Sequence, residues 1–224
     1  DSDIHLLYFP MRNRSMKKIL LCACLATTIG IIPLSAETKV LAFSGSTRKD
    51  SYNNRLVIEA AELARQMGAT VTIINLKDYP MPFYDGDIEE KEGMPKNAKR
   101  LRDLMINNDA IIIASPEYNH SVPAVLKNAL DWASRSESGT ASKEAFKGKK
   151  FALMSTSPGK KGGINGLRHL SEIIQDCGGT VISKQVSVPS SIQYFSEKER
   201  GENPLLKEEI VELLQPKLEN SLKK

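Results

Sequence analysis

Two short stretches of this chain hold residues whose types and spacing can do chemistry. The first is Ser44-Gly45-Ser46-Thr47-Arg48-Lys49-Asp50-Ser51, rich in hydroxyls and basic, set between an apolar run at 40–43 and a segment with Leu56, Val57, Ala60, Leu63, Ala64 and Met67 at helical spacing. A strand, a loop of small hydroxyl residues and a helix N-terminus together make an anion site. Hydroxyls and free backbone N–H groups point at the ligand, and the helix dipole favours negative charge. Arg48 adds a planar fork that can grip a phosphate through two N–H groups. The second stretch is Pro116-Glu117-Tyr118-Asn119-His120, directly after the apolar run 109–115. Tyr118 offers a flat face to a planar ring, and backbone groups beside it can hydrogen-bond a ring edge. Plainer readings stand beside these: Ser51 as the cap of a polar strand-to-helix turn, Tyr118 as a packed rim aromatic, Glu117 as a solvated carboxylate.

Elimination narrows the first loop. A nucleoside-triphosphate loop needs GxxxxGK followed by Ser or Thr, and no second Gly follows Gly45 at that distance; a dinucleotide fingerprint needs GxGxxG, and only Gly45 is present. The Ser-Gly-Ser here is not the GxSxG of a hydrolase elbow, and no His follows in a triad position. What remains is a terminal phosphate monoester held by hydroxyls, amides and Arg48. The three Cys (Cys22, Cys24, Cys177) and three His (His5, His120, His169) show no metal-ligand or redox spacing. With 26% charged and 41% hydrophobic residues and a net charge of +4, the chain reads as soluble and globular. Its Lys and Arg are interleaved with Asp and Glu, so no nucleic-acid partner is expected.

The elements that must position these loops follow in order. Strands are predicted at 40–43, 70–76, 109–115, 150–156 and 180–183, and helices from about 56 to 67, 97–106, 122–132, 164–177 and 204–218. Ser121 is expected to cap the third helix with Pro123 in its first turn. Residues 77–95, with three Pro and two Gly, read as one long irregular loop. Strand–helix alternation five times over predicts an α/β domain, a doubly wound five-stranded parallel sheet with helices on both faces. Ligands of such sheets sit at the carboxyl ends of the strands, where strand order reverses. The loops after the first, third and fourth strands, the last being Ser157-Pro158-Gly159-Lys160-Lys161-Gly162-Gly163, are the candidates for that mouth.

Residues 1–10 match nothing that follows and read as upstream sequence; Met11 and Met16 are both plausible starts. After Met16 come Lys17 and Lys18, an apolar run over 19–32, and Leu34-Ser35-Ala36 as a small-residue cleavage site. This predicts a leader over 1–36 and a single domain over 37–224. A cleaved signal would place the mature chain in the periplasm or outside the cell; an uncleaved extension on a cytoplasmic protein is the competing reading. The apolar run, broken by Thr27, Thr28 and Gly30, falls short of a good membrane span, so none is expected in the mature chain. Cleavage would leave Cys177 alone, unable to form an internal disulfide.

GSTRKDSYNNRL from Gly45 and PEYNHSVPAVLKNALDWASR from Pro116 together resemble the NADPH-dependent FMN reductase family of flavodoxin-like folds, which includes quinone, azo-dye and chromate reductases. The family pattern, GSxRxxSxN followed by PEYNxSxPxxLKNxxDW, is matched almost residue for residue, and the similarity runs over about 39–188. The resemblance implies sheet order 2-1-3-4-5 and FMN as cofactor, with NADPH or NADH as hydride donor. It implies that Ser46, Arg48, Ser51 and Asn53 bind the FMN phosphate. It further implies that Pro116, Glu117, Tyr118 and Asn119 meet the ribityl chain and ring, and that Ser157 and Gly159 close the far side. Asp50 stands where many relatives have Gly, which places a negative charge near the phosphate loop. Family membership also implies a homodimer or homotetramer, a small-molecule electron acceptor, and a cytoplasmic location, against the leader. The chemistry is then the cofactor's, with no side-chain nucleophile or metal required. Lys160 and Lys161 are candidates for the extra phosphate of NADPH. A non-enzymatic FMN-binding electron carrier of flavodoxin type is the rival reading, and an exported redox partner fed by a membrane electron source is a third.

Overall fold

Runs of β-branched and aliphatic residues take the middle of a sheet when both of its faces are covered. In the computed structural model, which describes residues 37–196 and 203–215, three strands do so: β1 (Lys39–Ser44), β3 (Ala110–Ala114) and β4 (Lys150–Thr156) are buried along nearly their whole length. β2 (Thr70–Asn75) lies at the edge and is partly exposed. Between them come α1 (Tyr52–Gln66), α2 (Gly86–Glu92), α3 (Lys96–Ile106) and α4 (Ala124–Ala133). After β4 follow α5 (Ile164–Asp176), β5 (Thr180–Val181), β6 (Val186–Val188), α6 (Ser191–Ser196) and α7 (Pro204–Leu214).

The sheet is parallel, in the order β2-β1-β3-β4-β5, as the flavodoxin-like reading requires. Alternate strand residues feed two cores. Val40, Ala42, Ile112 and Met154 pack under α1 and α7, while Leu41, Phe43, Ile111, Ile113 and Leu153 pack under α3, α4 and α5. Direction reverses between β1 and β3, because β1 leads outward to β2 and β3 leads the other way to β4. Their last residues, Ser44 and Ala114, are paired, and the Gly45 N–H donates to the Ala114 carbonyl at 2.9 Å. Beyond that bond the two loops part, which opens the crevice of a topological switch point. α1 begins where Ser51 accepts from the Asn54 N–H and stops at Gly68, whose φ of +90° a side chain would resist.

The structure departs from the sequence reading in four places. The stretch 77–95 is not irregular throughout: Leu76–Asp78 is a 3-10 turn and α2 occupies Gly86–Glu92, with the Asp85 carboxylate accepting from the Asp87 N–H. Ser121 is not a helix cap. It pairs with Tyr118 through reciprocal backbone bonds of 3.0 Å, and Pro123 stands at the N-cap instead. The six-residue helix α6 follows β6 where no helix was expected.

The fourth departure is the sheet's far edge. The predicted strand over 180–183 is cut short at Val181, where β5 pairs with Lys150 and Phe151, and an unexpected sixth strand, β6, follows and pairs with β4 from Met154 to Thr156. α7 supplies the reason. Glu212 accepts from the Ser183 N–H at 2.7 Å, the Ser183 hydroxyl at 2.9 Å and the Lys184 N–H at 3.2 Å; the Ile182 N–H still reaches Phe151 of β4, so of these donors the Lys184 N–H is the one a continued strand would give to β4. One turn earlier, Glu209 points into the core with no exposed surface, and neither oxygen has a hydrogen-bond partner among the described residues. Burial pushes its carboxyl well above the usual range; the Leu153 amide pulls the other way but is out of hydrogen-bonding geometry. The predicted leader and the end of the last helix at 216–218 lie outside the described residues. Among the described residues no helix is long and apolar enough to cross a membrane.

Candidate functional site

The first loop is folded by its own side chains. The Ser46 N–H donates to Ser44 Oγ at 3.1 Å, the Arg48 N–H to Ser46 Oγ at 3.3 Å, and Asn54 Nδ2 to the Arg48 carbonyl at 3.1 Å. Ser46 and Ser51 are both buried, and each hydroxyl oxygen accepts from a backbone N–H. Among the described residues neither hydroxyl proton has an acceptor, nor do the first-turn amides of Tyr52 and Asn53, and the exposed Arg48 guanidinium has no partner. Such a concentration of unspent donors at a helix start suits a phosphate. Gly45 lets the loop sit low: a Cβ there would come within 2.9 Å of Leu126 in α4. Asp50 is exposed on the rim.

Asn53 is placed differently from the serines. Its Nδ2 donates to the Thr156 carbonyl and its Oδ1 accepts from the Thr156 N–H, both at 3.0 Å. The amide therefore works as a backbone mimic that ties the start of α1 to the end of β4, with one N–H left over.

The second loop is a tight hairpin. Asn119 and His120 have φ of +50° and +62°, as a two-residue hairpin turn with both central residues left-handed demands. The turn projects Tyr118 at 51% exposure and also exposes Asn119 and His120, while Pro116 is buried and its carbonyl accepts from Ser115 Oγ. Glu117 is not a solvated carboxylate. Oε2 accepts from the Gly166 N–H at 2.9 Å, Oε1 faces Asn165 Nδ2 at 3.4 Å, and His120 Nδ1 lies 3.5 Å away. α5 has Gly163 at its N-cap and so no side chain of its own to cap it; Glu117 does that from outside. Burial alone would raise the Glu117 carboxyl, but the Gly166 amide, Asn165 and His120 hold it below the usual range.

The third loop, after β4, is drawn tight by Gly162 and Gly163 at φ of +59° and +90°; a Cβ on Gly163 would fall 1.9 Å from Ser155 Oγ. Ser157 donates its N–H to Val188 and its carbonyl accepts from Ser191, while the Gly159 carbonyl accepts from Ser190. Lys160 and Lys161 are exposed. The three loops thus close on one another: Gly45 to Ala114, Asn53 to Thr156, Glu117 to Gly166. The ten residues singled out from the sequence belong to these three loops and the start of α1, at the carboxyl ends of β1, β3 and β4.

Residues that the sequence reading passed over hold a fourth wall. The Pro82 carbonyl accepts from both Asn128 Nδ2 and Trp132 Nε1 at 2.9 Å, and the Tyr84 N–H donates to Asn128 Oδ1 at 2.8 Å. Tyr84 meets the Trp132 ring edge-on at 5.0 Å, and its hydroxyl donates to Glu89, which Arg135 grips through Nε and Nη2. Arg135 holds the Glu89 carboxyl below its ordinary range. Asn128, Trp132 and Arg135 all belong to LKNALDWASR, so part of that motif serves to pin the loop after β2. A cavity of about 220 Å³ bounded by Thr47, Tyr79, Met81 and Asn128 shows that this loop adjoins the first. Phe83, between the two pinned residues, is 73% exposed.

Residues 38–193 match the family model described as NADPH-dependent FMN reductase. The chain is 30% identical over 172 residues to a quinone reductase of Escherichia coli, covering 75% of this chain and 86% of that one. It is 32% identical over 187 residues to an NAD(P)H-dependent FMN reductase of Pseudomonas aeruginosa, covering 83% and 94%. Among solved structures, the flavoenzyme NAD(P)H:(acceptor) oxidoreductase of Paracoccus denitrificans superposes with a TM-score of 0.56 at 32% identity, covering 65% of this chain and 75% of that one. Motif, sheet order and relatives agree, and the chain belongs to the NADPH-dependent FMN reductase family of oxidoreductases.

Proposed function

We propose that this chain holds FMN at the rim formed by its three loops and uses it to pass hydride from NADPH or NADH to a quinone or a similar small acceptor. The observation that carries the reading is the set of unspent donors in the first loop, at the switch point and in the family's own motif. Ser46, Ser51, the first-turn amides of α1 and Arg48 hold the phosphate; Asn53 sets their position through Thr156. Tyr118 and the backbone of 116–119 flank the ring, which the turn at Asn119-His120 presents, and Ser157 and Gly159 close the other side. Held there, FMN would supply the hydride chemistry, between a nicotinamide donor and an acceptor that would alternate at one place. The protein's part is to orient the ring and shape the entrance. Lys160 and Lys161, exposed on the third loop, would pair with the donor's extra phosphate. The family reading also carries a homodimer or homotetramer, consistent with the exposure of Phe83 and Tyr118, and the sequence at 16–36 carries export.

The test is spectroscopic and kinetic. Purified protein should show flavin absorbance after loading with FMN, and should consume NADPH or NADH with benzoquinone in parallel-line initial-rate plots. A flavin-loaded protein that oxidises neither nicotinamide is an electron carrier, and a protein that takes up no flavin overturns the reading altogether.

A further inference from the structure

A second cleft, of about 570 Å³, opens on the other side of the first loop at the free edge of the sheet. Its apolar lining comes from both sides of the sheet edge: Val57 and Ile58 of α1, Ile73 on the α1 face of β2, and Ile74 on the opposite face. Two cations, Lys49 and Arg100, also line it. Lys49 is exposed and has no partner among the described residues. The Arg100 guanidinium lies 4.8 Å over the Tyr79 ring and gives one N–H to Asn97 Oδ1 at 3.1 Å, which leaves most of its fork and one planar face open. Asp78 is the opposing charge at this cleft, so cations outnumber acids two to one. None of Arg48, Tyr118, Ser157 or Gly159 lines it, so it is separate from the flavin rim although Ser44 and Lys49 border both.

The pairing of an apolar lining with two unspent cations selects for the ligand's chemistry. An inorganic anion would leave the lining wet, and a neutral hydrocarbon would leave the cations unanswered. A guanidinium already stacked on one aromatic ring presents its other face to a second. We propose that this cleft binds a small aromatic anion, an aryl carboxylate or sulfonate, with its ring against the aliphatic lining and its charged group paired with Lys49 and Arg100.

Naphthalenesulfonate is the probe, titrated calorimetrically into the full chain with and without saturating FMN. Saturable one-site binding is expected in both, about tenfold weaker after Arg100→Ala and after Lys49→Ala, each the loss of one charge-assisted contact. Uncharged naphthalenemethanol should bind about tenfold more weakly than the sulfonate, by the same reasoning. Absence of saturable binding overturns the proposal, and so does binding that both variants leave unchanged, which would place the probe on the flavin rim. Because the titration is read without FMN as well, its failure is distinguishable from failure to bind flavin.

Discussion

Asn53 and Thr156 stand 103 positions apart and are joined by two hydrogen bonds of 3.0 Å, the side chain of one to the backbone of the other. This bond pair makes one rigid rim out of the first and third loops, which leave from different strands. Asn53→Ala would leave a buried N–H and carbonyl of Thr156 without partners, at a cost of about 1–3 kcal/mol each way the rim fails to relax. We expect a lower unfolding midpoint together with weaker FMN binding in a fluorescence titration. Unchanged flavin affinity alongside reduced stability would mean that the rim is held by other contacts.

The Arg48 side chain differs from that of Asn53 in having no partner among the described residues. Arg48→Ala should therefore leave the unfolding midpoint nearly unchanged while weakening FMN by about tenfold or more, the scale of a charge-assisted contact to phosphate. Arg48→Lys should fall between, keeping the charge and losing the fork. The measurement is the FMN dissociation constant of each variant; equal constants would remove Arg48 from the cradle.

How much of this was legible in the sequence varies with the range of the forces involved. The central strands and the switch point were readable because continuous apolar runs state directly that both faces are covered. The loops flanking them were readable from local chemistry, a cap at Ser51 and glycines at 162–163. Glu117 was not, because its role depends on the N-terminus of a helix whose own sequence starts with Gly163 and so lacks a cap. The early end of the fifth strand was hidden for a similar reason: Glu212, which holds the chain just past it, lies 29 positions away from Ser183. The hairpin at Asn119-His120 had a signal in Asn119, a residue that tolerates positive φ, but Ser121-x-Pro123 imitated a helix start well enough to mask it.

Glu209 gives the chain an alkaline weakness. Its carboxyl has a raised pKa in the folded state, so the folded chain keeps a proton that the unfolded chain releases above the ordinary carboxylate range. Stability is therefore fully present below that range and declines as pH rises, by about 1.4 kcal/mol per pH unit until the folded-state pKa is passed. Glu209→Gln, a neutral replacement of the same shape, should match the parent near pH 5 and unfold at a higher temperature than the parent at pH 8. Thermal melts at the two pH values decide it; a constant difference between the proteins would show that Glu209 does not titrate on unfolding.

Glu89 works with the opposite sign. Its folded-state pKa is lowered, chiefly by Arg135, so its contribution is present above the ordinary carboxylate range and is lost as pH falls through the lowered value. Glu89→Gln should cost up to about 3–5 kcal/mol at neutral pH, the range for breaking a buried pair, and should flatten the acid limb of the stability profile. Denaturant unfolding from pH 3 to pH 7 measures both effects, and a parent-like acid limb in the variant would contradict the assignment.

Trp132 is the only tryptophan in the chain and is fully buried against the loop after β2. Its Nε1 donates to the Pro82 carbonyl, which Asn128 also holds, so its emission reports on whether that loop is seated. Asn128→Ala removes a donor to Pro82 and the acceptor for the Tyr84 N–H at once. The loop should then loosen, Trp132 should meet water and its emission should move to the red. Since the loop adjoins Thr47 of the first loop, FMN should dissociate faster from this variant, while Trp132→Phe, which keeps an aromatic partner for Tyr84 and loses one of two bonds to Pro82, should show a smaller increase. A red shift without faster flavin loss would confine the role of these residues to the loop after β2; fast flavin loss without a red shift would place the effect elsewhere in α4.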